Sequence, residues 1–400
     1  MTLCHLQRLL LNLFVFLGPL GTLLTPAIFP YSFRFYYFLL PFFPLFFVRL
    51  KTTQWRAALR LVPFFSYAFI SAYFAENGEV DQDAYPLFRC SLFACQCFFT
   101  LGAGFVLQDR EDKERLLKLF LSGFFISLAV GYLLYFGYYF KQIPLETLQR
   151  YTVETQMAWG LLRFSPGSYP NEYGILSSFS LLLLLILHMN RPRFIHFIFM
   201  GFTFIAFLLA TTRAAYLSFL FSLIYLWFSS PKIRKPLLQI FSLCLSLLFL
   251  LQLFYVDFFS IFAKGIKAIS LTEGSTGMRF QDWAKGFYDL NRALFFGTGF
   301  GSQINAHNVY LEILFELGLI GSLLLLMTLI SSFAEKGREL KALILRRAEH
   351  PELMVGLIHV LFFAASNHNM HHFVTWFVIL LLVRALFSEE KASQALSYGR

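Results

Sequence analysis

The sequence predicts an all-α, polytopic membrane protein of about twelve transmembrane helices, and three observations predict it. Of its 400 residues 58% are hydrophobic and only 14% are charged, a balance that soluble domains do not show. Apolar runs recur from Leu9 to Leu382, most of them near the roughly 20 residues a helix needs to cross the hydrocarbon core. The period-two alternation of a membrane β-barrel is absent, so helices must satisfy the backbone within lipid.

The expected spans are 9–30, 33–48, 58–75, 87–107, 116–140, 172–188, 194–211, 214–229, 236–256, 307–331, 352–367 and 372–388, within one integral membrane domain, 1–400. The first is long for a signal peptide, lacks a small-x-small cleavage site and leads straight into another apolar run, so it reads as a retained helix. An even number of spans puts both termini on one side. Basic residues in short loops stay in the cytoplasm. With the N-terminus inside, two thirds of the 33 Lys and Arg residues fall there, in groups such as Arg49 to Arg60, Arg110 to Lys118 and Lys336 to Arg347. The net charge of +10 is then a topology signal and an attraction to anionic membrane lipids. No basic aromatic face for nucleic acid is present. Cys90, Cys95 and Cys97 sit in one apolar run at a spacing that fits no zinc pattern and read as small hydrophobes.

Polar residues gather in the loops this topology places outside. Glu76 to Asp83 reads as an ordinary acidic outer loop. In the long loop 257–306, Phe280, Trp283, Phe287 and Leu290 recur at helical spacing and predict an interfacial amphipathic helix. The turn Gly297 to Ser302, with Gly299, is able to bring backbone amides close to a phosphate or sugar, a weak signal alone. Asn308 is an expected N-cap, which places His307 at the positive end of the tenth span and favours a neutral imidazole; a satisfied interfacial histidine is the equal alternative. Glu312 and Glu316 share one face just inside that span, where carboxylates need partners, so they either support a site or bond between helices. Arg213 follows two threonines between the seventh and eighth spans, and Arg163 precedes Asn171 at the start of the sixth. Either arginine site or simple snorkelling accounts for Arg213. With Arg279 they make three outer arginines, which suit a pyrophosphate because guanidinium forks grip phosphate oxygens and stay charged. His368, His371 and His372 read as an interfacial cluster rather than a metal site.

His307-Asn308, the nine residues Val309 to Leu317, then Gly318 and Gly321 resemble the pattern of the O-antigen ligases, a superfamily shared with O-antigen polymerases and protein O-oligosaccharyltransferases. Arg279 with Trp283, the Gly297 to Gly301 turn, Arg213 after its threonines, and Arg163 with Gly167 and Asn171 are similar to the family's flanking features. The motifs extend from Arg163 to Gly321 and the topology over the whole chain; Glu172 directly after Asn171 departs from the pattern. The resemblance implies a GT-C-like, metal-independent membrane glycosyltransferase of lipopolysaccharide biosynthesis, with no cofactor, in the bacterial inner membrane. Its donor would be a glycan on undecaprenyl pyrophosphate, and its acceptor a sugar hydroxyl of lipid A-core at the periplasmic face. Carried onto this chain, the catalytic residues are His307 as proton acceptor and Arg213 and Arg279 on the pyrophosphate. Arg163, Asn171, Asn308, Glu312, Glu316 and Gly299 bind substrate. A polymerase or a protein O-oligosaccharyltransferase would use the same donor. A secondary transporter would need polar, broken helices at the midplane of repeated halves, which this sequence does not show.

Reporter fusions after Phe140 and near Ser270 are expected outside, and those after Arg193 and near Lys341 inside. A cytoplasmic signal at Ser270 would remove the outer site.

Overall fold

A computed structural model describes residues 2–25, 33–48, 50–75, 86–107, 110–152, 157–158, 161–229, 274–302, 306–345, 350–367 and 372–397, with scattered positions between 234 and 249. Its α-helices are α1 Leu3–Leu17, α2 Pro44–Phe47, α3 Thr52–Leu59, α4 Val62–Tyr73, α5 Pro86–Val106, α6 Arg110–Tyr139, α7 Leu145–Tyr151 and α8 Pro170–Asn190. They continue with α9 Phe194–Ala210, α10 Arg213–Ser229, α11 Gly274–Arg292, α12 Val309–Glu335, α13 Gly337–Leu345, α14 Pro351–Ala364 and α15 Phe373–Ser397. A two-residue hairpin, β1 Met157–Ala158 against β2 Leu161–Leu162, is the sheet among the described residues. Among the described residues, five helices are long and apolar enough to cross a membrane, and five apolar helical stretches are shorter. This is the architecture of a polytopic membrane protein.

The departures from the expected spans have local causes. The first helix stops at Leu17, where Gly18 and Pro19 turn it into a short 3₁₀ segment. The second span is a 3₁₀ helix, Phe35–Phe42, followed by the four-residue α2; Pro41 and Pro44 withhold the amides a continuous α-helix needs. The third shortens to α4, with proline in its first turn, where its missing N–H costs nothing, and the separate α3 precedes it. The expected ninth span, 236–256, lies largely outside the described residues.

α8 is the central post, buried over most of its length. Around it the polar contacts collect at two opposite ends. At one, Lys113 pairs with Glu352 at 2.7 Å, Arg60 Nη1 donates to the Ser331 carbonyl at 3.2 Å, and Gln7 Nε2 donates to the Leu45 carbonyl at 2.7 Å. At the other, Phe164 N donates to the Leu209 carbonyl, Thr22 N to Gly167, and Arg34 pairs with Glu172. Helix ends that the Lys and Arg distribution puts on one side thus meet one another in each of these contacts.

The long α12 is interrupted at Gly318, whose φ of 62° and ψ of −165° are not helical. A broken helix inside an apolar bundle leaves amides and carbonyls that must be bonded. The segment from Leu294 to Gly299 supplies them. Leu319 N and Ile320 N donate to the Leu294 and Phe295 carbonyls, Thr298 N and Gly299 N donate to Phe315 and Glu316, and Tyr67 Oη donates to Leu317. A Cβ at Gly318 would lie 2.5 Å from Gly297 N and 2.6 Å from Phe295 O, and its dihedrals belong to a region essentially reserved for glycine. Gly318→Ala is therefore expected to destabilise the protein by roughly 1–3 kcal/mol, read as a lower thermal midpoint in lipid nanodiscs; an unchanged midpoint would mean that the break is not held as described.

Candidate functional site

α12 begins as the sequence predicts. Asn308 has an extended backbone, and its Oδ1 accepts from Tyr310 N at 3.0 Å and Leu311 N at 3.2 Å. The same side chain turns its other end outward: Nδ2 donates to the Ala365 carbonyl at 2.9 Å, just past the end of α14. His307 precedes the cap with φ 45°, a left-handed backbone that costs a non-glycine residue roughly 1–2 kcal/mol. It is fixed from both sides, by the Asn308 cap and by Ala306, whose buried carbonyl accepts from Trp283 Nε1 at 2.5 Å. Strain maintained by its surroundings points to function more often than to chance.

Trp283 stands one turn along α11 from Arg279, and Arg279 Nη1 donates to the Ser366 carbonyl at 3.1 Å. Ser366 adjoins Ala365, so a closed circuit runs from Arg279 through Ser366, Ala365 and Asn308 to His307, and back through Ala306 and Trp283. The expected amphipathic helix is this α11. Leu290 is buried and Phe287 meets Phe315 at 5.0 Å, while Met278, Phe280 and Tyr288 remain exposed. Burial, and after it the like charge of Arg213, lower the Arg279 guanidinium below its usual range. An arginine nevertheless stays cationic at physiological pH. Two guanidiniums held within electrostatic reach repel, and an anion received between them reverses the sign of that interaction.

Arg213 opens α10 immediately after a sharp corner at Thr211, itself left-handed at φ 52°. Arg163 braces this corner. Its Nε donates to the Ala210 carbonyl at 3.0 Å, and its Nη2 donates to Asn171 Oδ1 at 3.0 Å and to Thr212 Oγ1 at 3.1 Å. Arg163 and Asn171, read from the sequence as substrate-binding, thus have donors and acceptors engaged in positioning the turn that presents Arg213. Gly299 differs from its expectation in the same way. Its amide donates to the Glu316 carbonyl at 2.9 Å, and the Gly297 to Gly301 turn completes the break in α12. Glu316 is buried and its Oε2 accepts from Gly301 N at 2.9 Å, so its carboxylate anchors that turn. Glu312 is buried one turn earlier on the same face.

Sequence reasoning overlooked the pair Arg34 and Glu172. Arg34 Nε and Nη2 donate to the two carboxylate oxygens of Glu172 at 3.0 and 2.5 Å, and Nη1 donates to Tyr37 Oη at 2.8 Å. Both partners are buried. The unexpected Glu172 after Asn171 thereby fixes the start of α8. A carboxylate in the first turn of a membrane helix was the available signal, since it demands a partner. His372 is buried against Phe363; His368 and His371 lie outside the described residues.

The fold is that of a polytopic membrane protein, and hydrogen bonds link the surroundings of Arg279 and His307 in one circuit. Residues 197–326, roughly a third of the chain, match the family model described as O-antigen ligase. The matched segment contains Arg213, Arg279, Gly299, His307, Asn308, Glu312 and Glu316; Arg163 and Asn171 lie before it. No curated protein matches the chain. In general terms the match brings glycan transfer of the ligase or polymerase type, by a glycosyltransferase-like membrane enzyme.

The two ends of Asn308 can be separated experimentally. Asn308→Asp keeps the cap acceptor but removes the Nδ2 donor to Ala365. It is expected to retain the thermal midpoint within a few degrees and to lose about tenfold in glycan-transfer rate, the equivalent of one hydrogen bond of about 1.4 kcal/mol. A wild-type rate would separate the α14 contact from the site.

Proposed function

We propose that the chain is an O-antigen ligase of a bacterial inner membrane, transferring a glycan from undecaprenyl pyrophosphate to a sugar hydroxyl of lipid A-core at the periplasmic face. The observation that carries this reading is the hydrogen-bonded circuit that joins Arg279 to the strained His307 within the matched segment. His307 accepts the proton of the attacking hydroxyl as its oxygen bonds to the anomeric carbon. The bond from that carbon to the pyrophosphate oxygen breaks, and undecaprenyl pyrophosphate leaves with the electron pair. The charge that builds on the leaving group falls to Arg213 and Arg279, as fixed cations that need no reorganisation. Arg163 and Asn171 act through the Thr211–Thr212 corner, and Asn308 through α14. The chemistry assigns no task to a divalent metal. The Lys and Arg distribution supports placing this end outside, where the donor glycan and lipid A-core meet.

In cells carrying His307→Ala, full-length lipid-linked polymer is expected to persist while its attachment to lipid A-core is lost. Accumulation of single-repeat donor would instead identify a polymerase. Arg213→Lys and Arg279→Lys keep a charge but lose the two-pronged contact, so transfer should fall roughly ten- to a hundredfold, with the alanine variants lower still. Wild-type rates in all four variants would show that both arginines only anchor helices.

A further inference from the structure

The outer end of α6 carries a feature that the transfer chemistry does not use. The helix closes in a Schellman motif: Gln142 N donates to the Gly137 carbonyl at 2.8 Å and Lys141 N to the Tyr138 carbonyl at 2.9 Å. The left-handed position of this motif is ordinarily glycine. Here it is Lys141, with φ 60°, a conformation that strains an L side chain. A cation near a helix C-terminus is favourable, but neighbouring positions offer that benefit without the strain. Beside the turn lies a cavity of about 570 Å³, whose lining includes Tyr138, Tyr139, Lys141, Gln142 and Leu162. That volume is in the range of small-ligand sites, roughly 300–1,000 Å³. The two tyrosine rings meet edge to face at 5.4 Å, and Tyr139 is pinned because its Oη accepts from Leu162 N at 3.0 Å. Leu162 adjoins Arg163, which braces the corner before Arg213. The cavity therefore sits at the same end of the bundle as the arginine site and is tied to it by two consecutive residues.

We propose that this cavity is a saccharide-binding subsite. Tyrosine faces suit the apolar C–H faces of a sugar ring, and the hydroxyls at their edges add polar contacts. Gln142 offers both a donor and an acceptor to sugar hydroxyls. Lys141 supplies a cation for an acidic substituent such as a uronic carboxylate or a phosphate. The inference rests on the reading of the outer end as a site of glycan transfer. The occupant is an oligosaccharide, whether the donor's polymer or the acceptor's core.

The test uses the full-length protein in lipid nanodiscs with two probes released from lipopolysaccharide by mild acid, the O-polysaccharide and the core oligosaccharide, titrated by calorimetry. One of the two should bind, and which one identifies the subsite as belonging to donor or acceptor. Tyr138→Ala and Lys141→Gly should each weaken that binding roughly tenfold, and in transfer assays raise KM for the same substrate far more than they lower kcat. Lys141→Gly should also raise the thermal midpoint, because glycine relieves the turn, so weaker binding cannot be ascribed to unfolding. Absence of binding by both probes, or wild-type binding by a stabilised Lys141→Gly protein, would overturn the proposal. Saccharide binding by a protein that transfers no glycan would leave the subsite standing and remove the ligase reading. Efficient transfer with unchanged KM in both variants would do the reverse.

Discussion

Two carbonyl groups just past the end of α14, those of Ala365 and Ser366, hold the Arg279–His307 end of the molecule in register. Carbonyls at a helix C-terminus have no partner within the helix and carry the negative end of its dipole. Here they receive the Asn308 amide and the Arg279 guanidinium. One helix end thus fixes both the helix that presents the arginine and the cap that presents the histidine. The same dipole favours a cation at Ser366, which offsets part of the repulsion that Arg213 exerts on Arg279.

The break at Gly318 makes the second half of that arrangement rigid. A continuous α12 would need no loop beside it, whereas a broken one in an apolar bundle must find donors and acceptors from outside the helix. The segment between α11 and α12 provides them, and Glu316 takes the Gly301 amide. The first part of α12, from Val309 to Leu317, is consequently bonded to its own preceding loop. Two of the strained non-glycine positions among the described residues, Thr211 and His307, lie where this framework presents Arg213 and the α12 cap.

Much of this was legible in the sequence where local chemistry decides the outcome. Asn308 caps α12 because its short acceptor reaches amides two and three residues ahead, and α11 forms because Trp283, Phe287 and Leu290 recur at helical spacing. Features that depend on distant partners were not legible. Arg34 and Glu172 are 138 positions apart, and nothing local to either indicates which charge it meets. That Arg163 braces the α9–α10 corner was not legible either, because the carbonyl of Ala210 and the side chains of Asn171 and Thr212 come together only in the folded bundle. The glycines at 297, 299 and 301 read as amides available to a ligand; in the fold Gly297 donates to the Ala293 carbonyl, and Gly299 and Gly301 donate to the carbonyl and carboxylate of Glu316, beside a break that the sequence marks only as one more glycine.

Charge logic joins these parts. Arg279 is half-buried, bonded to a helix end and within reach of a second guanidinium, an arrangement that a diphosphate suits through two charge-assisted forks and that helix anchoring alone does not call for. Cryo-electron microscopy of the protein in nanodiscs with undecaprenyl pyrophosphate tests that assignment most directly. The diphosphate should lie between Arg213 and Arg279, within hydrogen-bonding distance of both guanidiniums and on the side facing His307. A diphosphate held by other cations, with these two arginines left apart from it, would contradict the assignment.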